Sequence, residues 1–406
     1  MRYYIGVDWA DAEHAVWVED ETATKIVSRS VPQTPEGLSE WGRWLDERRA
    51  DGVELWAAIE KPEGRIVDFL LDHGVLVFPV NPKAVDRARD RFRMSGAKSD
   101  PFDARVLATF LRTDHGHLAP LRPSSEAAQE LKGLTRDYAR QVRQQTRLLN
   151  QLTAALKAYY PRALVVAEDL KSQWGRAFLR AYPTPAAMAA LTERQWQRWA
   201  RGHRLSAERT AAVWEIVQPP QMSVPPHVVR VTARLVVALL EQLEVTTTTV
   251  QAYRQAVADF FGSMPAAKWA ASLPGGQSGT TVPSLYAELG DAAGRWQTFR
   301  HLQGHAGAVP VTERSGKQVL VKFRFACNTH LRQTIHQFAF QSLRQSEWAR
   351  AYYDRCRKRG HSHHHALRGL AAKWLKIIFV LWTRQVGYDE TYHLATMARQ
   401  QLRQTA

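Results

Sequence analysis

The first eighty residues alternate short β-branched or aromatic runs with helical stretches, and this alternation limits the fold more than any other feature. The runs RYYIGVDWA, EHAVWVED and TKIVSRSV are separated only by polar turns, so they predict three strands joined as a meander. A helical stretch, a strand (VELWAAIE), a second helical stretch and a further strand (VLVFPVNP) follow. This order predicts an α/β domain with a mixed sheet.

From Ser124 onward the sequence changes to long helices. Apolar residues at three- and four-residue spacing predict one helix that ends before Pro161 and another from Val229 to Phe261. The first frame contains Leu131, Leu134, Tyr138, Gln141, Gln145, Leu148, Leu152 and Tyr159, and the second contains Leu235, Leu239, Val250, Tyr253, Val257 and Phe260. An antiparallel hairpin, a dimerising coiled coil and two amphipathic helices packed on their own domain all fit this spacing.

Changes in residue pattern along the chain predict four regions. Residues 1–122 form the α/β domain, 123–262 the helical or coiled-coil middle, 263–348 a mainly α-helical unit, and 349–406 a set of basic C-terminal helices. The HSHHH stretch at 361–365 lacks acids or cysteines at ligand spacing, so a polar or nucleic-acid-facing helix start is favoured over a zinc site.

The charge balance indicates the class of partner. The chain has 55 Lys plus Arg against 39 Asp plus Glu, a net charge of +16, which favours a polyanion, above all nucleic acid. A membrane surface is the rival, but no apolar run approaches the roughly 18 residues of a spanning helix. Two cysteines exclude a disulfide framework, and the strand-like amino terminus lacks a signal-peptide core, so a cytoplasmic protein is expected.

Acidic residues occur at strand ends and at a helix start. Asp8 ends the first strand and Glu60 ends a later one, while Asp100 and Asp103 lie at the start of a helix in GAKSDPFDARVLA. Strand ends at one sheet edge are where sites assemble, and four converging carboxylates repel one another unless a cation is present. The placement predicts a Mg²⁺ or Mn²⁺ site suited to phosphodiester chemistry.

A plainer interpretation stands beside the metal site. Asp100 precedes Pro101, so it can be a helix N-cap, with Asp103 as a first-turn acid facing the helix dipole. Glu60 can pair with a nearby cation, and Asp8 can cap a turn. The agreement of strand order with acid placement favours the metal site.

An ordered set of motifs carries a family resemblance over nearly the whole chain. IGVDWA, AAIEKPEG and AKSDPFDARVLA resemble the acidic motifs of the DEDD-type insertion-sequence transposases, and the helix ending in KAYYP resembles the one that follows them. SLPGG, AELGD, HAGAVP, RSGK and THLRQ resemble, in order, the C-terminal domain of that family. The resemblance implies a RuvC/RNase H-like α/β N-terminal domain, a helical middle and a mainly α-helical, serine-bearing transposase domain.

The resemblance also implies a second catalytic element, a serine in the RSGK-type turn, which corresponds to Ser315. Its hydroxyl would attack phosphorus and hold a DNA end covalently. Gly316 would allow close approach of a phosphate, and Arg314 and Lys317 would neutralise it. By itself, RSGK is an ordinary turn sequence. The other expected nucleic-acid contacts are Arg89, Arg93, Lys98 and Arg332.

The implied function is a DNA transposase that cuts and rejoins donor and target DNA. The implied partners are these DNAs, a structured guide RNA that selects them by base pairing, and further copies of the chain in a dimer to tetramer. The acids of one subunit and the serine of another can then share a site. Two alternatives stay open: a metal-only, RuvC-like junction endonuclease in which Ser315 is structural, and a non-catalytic RNA- or DNA-binding protein.

Overall fold

The computed structural model describes residues 1–91, 99–217, 223–265, 267–277, 279–316 and 318–405, with the side chains of 217 and 400–405 left out. The chain divides into two compact units, Met1–Pro123 and Ser124–Ala406. Each unit is built around its own hydrophobic cores.

The first unit contains the predicted mixed sheet. Its strands are β1 (Arg2–Asp8), β2 (Glu13–Asp20), β3 (Lys25–Pro32), β4 (Glu54–Ile59) and β5 (Leu76–Pro79). Their spatial order is β3-β2-β1-β4-β5. The first three pair antiparallel, whereas β4 runs parallel to both β1 and β5. The meander followed by helix–strand alternation therefore produces the predicted architecture.

Helices cover both faces of this sheet. They are α1 (Pro35–Ala50), α2 (Arg65–Asp72), α3 (Pro82–Arg89) and α4 (Asp100–Asp114), followed by a 3₁₀ turn at His115–His117. Successive strand side chains point to opposite faces, so Ile5 packs with α1 and α2, whereas Tyr4 packs with α3 and α4. A sheet buried on both faces explains the nearly continuous apolar run of β1.

The second unit is mainly helical. Its helices are α5 (Glu126–Tyr159), α6 (Pro161–Ala167), α7 (Gln173–Ala181), α8 (Pro185–Ala189), α9 (Glu193–Gly202), α10 (Ala207–Val217), α11 (Pro226–Ser263), α12 (Ala267–Ala270), α13 (Thr281–Leu289), α14 (Phe299–His305), α15 (Thr329–Ser342), α16 (Glu347–Lys358), α17 (His363–Arg384) and α18 (Glu390–Thr405). A hairpin of β6 (Val311–Ser315) and β7 (Gln318–Lys322) interrupts them. No described helix is long and apolar enough to cross a membrane.

The two long helices, α5 and α11, pair with each other in the antiparallel sense. Leu131, near the start of α5, shares a core with Phe261 at the end of α11, while Leu152 shares another with Val236. Between these cores the Gln145 amide donates to Thr247 Oγ1 at 3.0 Å. Of the arrangements compatible with the spacing, the antiparallel hairpin within one chain is the one present.

The expected seam of α11 needs a correction. Leu235, placed on the apolar frame, is 51% exposed, whereas its neighbour Val236 is fully buried. Helix α11 packs against α5 and also against the shorter helices α6 to α10. Its buried residues therefore face several partners, and a single heptad frame does not describe them. Leu148 and Leu152 are buried by their own chain, which leaves neither side chain to form a dimer contact.

Introducing a charge at Leu152 is expected to destabilise the second unit. Leu152→Glu places a carboxylate in a closed apolar core and should lower the free energy of unfolding by more than about 3 kcal/mol. Thermal denaturation followed by circular dichroism measures this. Leu235→Glu, on the exposed side of α11, is the matched control and should change stability by less than about 0.5 kcal/mol. Equal effects of both variants would contradict this packing.

Candidate active site

Parallel pairing brings Asp8 and Glu60 to the same edge of the sheet. Val7 of β1 lies opposite Ile59 of β4, so the next residue of each strand leaves the sheet at the same level. Asp8 is the last residue of β1, and Glu60 directly follows β4. The carboxyl ends of these neighbouring strands therefore present two acids side by side, as predicted from the order of strands.

Gly6 determines how closely α4 lies on the sheet. A Cβ atom at Gly6 would lie 1.8 Å from the Ala104 carbonyl oxygen and 2.6 Å from the Ala108 amide nitrogen. Only a residue without a side chain allows this approach between backbones. Asp103, directly before Ala104, is therefore held near β1 and is 9% exposed. Asp100 begins α4 and is exposed, with Ser99, rather than Asp100, at the N-cap position.

The four acids form one electrostatic group. Burial, followed by repulsion from Asp103, Asp100 and Glu60, raises the pKa of the Asp8 carboxyl from 3.8 to about 6. Arg89 acts in the opposite direction but does not offset these effects. Ionised Asp8 is therefore destabilising at neutral pH, as expected where carboxylates are gathered for a cation.

Arg89 provides the cation that this group contacts. Its Nε donates to Asp103 Oδ1 at 2.6 Å, its Nη1 pairs with Asp86, and its side chain is 15% exposed. Arg89, which the sequence predicts as a nucleic-acid contact, lies at the end of α3 and contacts Asp103. Its positive charge partly balances the negative charge of the carboxylates, as a bound metal ion would also do.

The acids supply suitable donors for a hard divalent cation. Carboxylate oxygens are the ligands that Mg²⁺ and Mn²⁺ prefer. Burial is the main cause of the raised pKa of Asp8, and repulsion from the other three acids adds to it. Across the described ranges, no group of three or more His, Cys, Asp or Glu side chains is arranged to hold a metal. The joint binding of a cation by the four acids stays a prediction, and Asp103 is engaged with Arg89.

Removing the Asp8 charge is expected to stabilise the metal-free protein. A carboxyl with a raised pKa favours the protonated form in the folded state, so its contribution to stability is lost as pH rises from about 3.8 to about 6. Asp8→Asn should therefore raise the free energy of unfolding by about 2 kcal/mol near pH 7 in chelator. The gain should vanish near pH 4, where Asp8 is already protonated. Chemical denaturation at both pH values measures it, and an equal gain at both would contradict the crowding.

Ser315 lies at the tip of an exposed hairpin in the second unit. It is the last residue of β6 and pairs with Gln318 of β7. Gly316 follows with a φ of +56°, a conformation that favours glycine, and open space surrounds its missing Cβ. Arg314 is exposed and, among the described residues, forms no ion pair. The Ser315 hydroxyl is therefore open to an approaching phosphate.

The hairpin itself is apolar as well as exposed. Val319, Leu320 and Val321 of β7 are 53%, 49% and 62% exposed. A two-stranded hairpin with no covering layer is marginally stable in water, and such an apolar strand usually meets a partner. The sequence did not reveal these strands because neither one shows an alternation of buried and exposed residues.

The other predicted contacts are distributed differently. Arg332 on α15 lies 5.3 Å from the ring centroid of Phe323, and its Nη1 donates to the Arg324 carbonyl at 3.5 Å, so it lies at the base of the hairpin. Arg93, Lys98 and Lys317 lie outside the described residues.

A buried ion pair that sequence reasoning missed holds the helix after the hairpin. Glu288, in the AELGD motif, is 2% exposed and accepts from Arg136 Nε and Asn328 Nδ2, both at 2.7 Å. Burial raises its pKa, but these donors more than compensate, so the pKa of Glu288 is lowered. Asn328 also caps α15 by accepting from the Leu331 amide. In the sequence, only the position of Glu288 before Leu-Gly at a helix end pointed to this ion pair.

Comparison with known proteins decides the family. A family model for DEDD transposases of the IS110 type matches residues 5–161, and one described as the IS116/IS110/IS902 transposase family matches residues 268–354. The putative transposase of the IS117 mini-circle of Streptomyces coelicolor is 32% identical over 404 residues, 96% of each chain. This chain belongs to the IS116/IS110/IS902 family of transposases.

Other relatives match shorter segments. The putative transposase y4uE of Sinorhizobium fredii is 36% identical over 204 residues, which cover 50% of this chain and 57% of that one. An uncharacterized 43.6 kDa protein of insertion element IS110 from Streptomyces coelicolor is 26% identical over 305 residues, 72% of each. Among solved structures, RuvC of T. thermophilus with a Holliday junction matches at 15% identity and a TM-score of 0.22, over 30% of this chain and 100% of that one.

The two family matches divide the candidate residues between them. The first includes all four acids, and the second includes Arg314, Ser315, Gly316 and Arg332. The acids belong to the first compact unit and the serine hairpin to the second. The predicted transposase family and the predicted fold class, with its mixed N-terminal sheet and helical remainder, are confirmed.

Proposed function

We propose that this transposase cuts and rejoins donor and target DNA through a covalent bond between DNA and Ser315, assisted by a divalent cation held by Asp8, Glu60, Asp100 and Asp103. One observation carries the proposal: the carboxylates gather at one edge of the sheet, where burial, followed by repulsion from the other three acids, raises the pKa of Asp8 to about 6. Such a concentration of charge on a transposase favours metal-assisted phosphodiester chemistry.

The acids would hold Mg²⁺ or Mn²⁺. When bound, the ion lowers the pKa of an attacking hydroxyl and stabilises the charge on a leaving oxygen. Gly6 keeps Asp103 close to β1, and Arg89 competes for Asp103 and limits the repulsion among the acids while no cation is present. These features support a preformed but adjustable set of oxygen donors.

Ser315 would be the nucleophile. Its Oγ forms a bond to phosphorus as the bond from phosphorus to a DNA oxygen breaks; the serine proton is lost to water, and the departing oxygen gains one. The phosphodiester energy is conserved in the serine ester, so a DNA hydroxyl can reverse the step without a nucleotide cofactor. Arg314 and Lys317 would neutralise the phosphate, and Gly316 leaves room for it.

The hairpin supports a further part of the proposal, assembly with other copies of the chain. The exposed apolar strand β7 carries the residues that follow the Ser315 turn, and a strand of this kind is stabilised when a partner covers it. A dimer to tetramer would allow the serine of one subunit to serve the acids of another. Leu148 and Leu152 are excluded from that contact because they are already buried.

The selection of DNA would come from a structured guide RNA. The net charge of +16 supports strong, salt-sensitive binding of RNA and DNA through phosphates, which carries no sequence information of its own. Changing the pairing segment of the copurified RNA should redirect recombination to a new DNA target. Sequencing of recombination products measures this, and selection of one DNA site by RNA-free protein would contradict guidance.

Incubation with the copurified RNA, Mg²⁺ and labelled donor and target DNA tests the function as a whole. Rejoined donor–target strands are expected, and chelator should abolish them. A protein that binds both nucleic acids but leaves every strand intact would be a binding protein only, and the proposed function would be wrong.

A further inference from the structure

Helices α16, α17 and α18 surround a cavity of about 590 Å³ at the carboxyl end of the second unit. Its walls are mainly aromatic and aliphatic and include Trp348, Tyr352, Ile377, Leu381, Tyr388 and Met397. Trp348 and Leu381 are buried, at 5% and 7% exposure, and form the inner wall. Apart from Trp348 and Tyr352, its lining residues follow the segment 268–354 that the second family model matches, and neither the acids nor Ser315 lines it.

A network of hydrogen bonds fixes the aromatic wall. Trp348 Nε1 donates to the Tyr388 hydroxyl at 2.7 Å, and Tyr388 in turn donates to Glu390 at the start of α18. Glu390 also accepts from Ser346 Oγ at 3.0 Å. The carboxylate is therefore occupied within the wall, and the rings are held in place before any ligand binds.

Cations surround the opening. The basic side chains among the lining residues are Arg355, Lys373, Lys376 and Arg384, all of them exposed. Within the described part of the chain, none of these four forms an ion pair. Arg355 and Lys373 lie 5.9 and 5.0 Å from the Tyr352 ring centroid. Among the described lining residues Asp389 is the one acid, and it accepts from the Tyr392 amide as the cap of α18. The opening therefore carries excess positive charge.

An exposed aromatic ring lines the same cavity as these cations. Tyr392, on the first turn of α18, lines the cavity and is 69% exposed. A tyrosine so exposed retains most of its ring face for a ligand. Aromatic faces near cations that form no ion pair are the combination that binds unpaired nucleotides, because bases stack on rings and phosphates pair with Lys and Arg. Lys376 lies 5.2 Å from the Phe299 ring centroid, a contact that leaves its charge without an acidic partner.

We propose that this cavity binds an unpaired nucleotide of a single-stranded nucleic acid, with the base among the aromatic residues and the flanking phosphates on Lys373, Lys376 and Arg384. The proposal rests on the proposed function only in that a nucleic acid is the partner. A planar base fits the aromatic wall while its phosphates meet the cations. The carboxylates of an acidic peptide would meet the cations but leave the apolar interior without a partner.

Binding of short oligonucleotides to the full chain tests the site. The probes are fluorescein-labelled oligo(U) and oligo(dT) of about ten nucleotides, with anisotropy as the readout. Tyr392→Ala should weaken binding about tenfold, and Tyr392→Phe, which keeps the ring, should bind as the wild type does. K376Q/R384Q should also weaken binding about tenfold. R230Q/R254Q, an equal loss of charge on exposed positions of α11, is the control and should change affinity less than about threefold.

The two probes identify the source of the nucleotide: tighter binding of oligo(U) assigns the cavity to RNA, and tighter or equal binding of oligo(dT) to a displaced DNA strand. Unchanged affinity in both Tyr392→Ala and K376Q/R384Q would overturn the proposal. Equal weakening in R230Q/R254Q, or displacement of oligo(U) by an equal concentration of oligoglutamate, would also overturn it. This assay measures oligonucleotide binding and not DNA joining. If the protein binds the oligonucleotides as expected but joins no DNA, the proposed function is wrong and the assignment of the cavity still stands.

Discussion

Replacing Ser315 with alanine is expected to abolish strand cleavage and strand exchange while RNA and DNA binding remain. The hydroxyl is the only group lost, and it is the atom that would bond to phosphorus, so activity should fall by more than about a thousandfold. Ser315 is exposed at a hairpin tip, and its removal disturbs no core. Quantifying labelled recombination products on denaturing gels measures the loss.

Thr312→Ala is the matched control for this variant. Thr312 is an exposed hydroxyl residue on the same strand, β6, and its loss should leave recombination within about twofold of wild type. Circular dichroism and RNA binding establish that Ser315→Ala folds. Wild-type strand exchange by Ser315→Ala would remove the serine from the chemistry and favour the metal-only endonuclease.

Neutralising any one of the inner acids is expected to have an effect of similar size. Asp8→Asn, Glu60→Gln and Asp103→Asn each delete one charged oxygen donor but keep the shape of the side chain. Divalent-cation binding should weaken, and strand cleavage should fall by more than about a thousandfold. Cleavage assays with a titration of Mg²⁺ and of Mn²⁺ measure both effects.

The control for the acids lies on the same strand. Glu54→Gln, at the opposite end of β4 from Glu60, breaks an exposed pair with Arg2 and should leave cleavage unchanged. Asp8→Asn should be inactive even though it is more stable than wild type in chelator, because the carboxylate that is costly to bury beside other acids is also the one proposed to bind the cation. Full cleavage by Asp8→Asn, or by wild type in excess chelator, would rule out the metal site.

The edge with Asp8 and Glu60 was predictable because it depends on local signals and one general rule. Each acid follows an apolar strand, and parallel strands end at a common edge. The contacts of Asp103 were not predictable, because they depend on tertiary distances. Gly6 is one glycine among many in the sequence, and its role appears only when Ala104 lies against it. The sequence predicted Arg89 as a nucleic-acid contact. Its ion pair with Asp103 could not be predicted, because it depends on the position of α3 in the fold.

The helical region shows a similar division. The apolar spacing located both long helices, and Gln145 occupies the seam as expected. The spacing did not distinguish an intrachain partner from a second copy, since both bury the same stripe. It also placed Leu235 inside, because helix periodicity alone cannot tell which of two adjacent apolar residues, Leu235 or Val236, faces the core when several helices pack on one. The hairpin with Ser315 escaped detection because it is exposed on both faces.

Mapping the residue that joins protein to DNA tests the central claim most directly. Wild-type protein with its RNA, Mg²⁺ and end-labelled DNA is resolved by denaturing electrophoresis, and the linked species is digested and sequenced by mass spectrometry. A protein–DNA adduct at Ser315 that forms with cleavage and is lost on rejoining is the expected result. Efficient cleavage without any adduct, or an adduct at another residue, would contradict the serine mechanism.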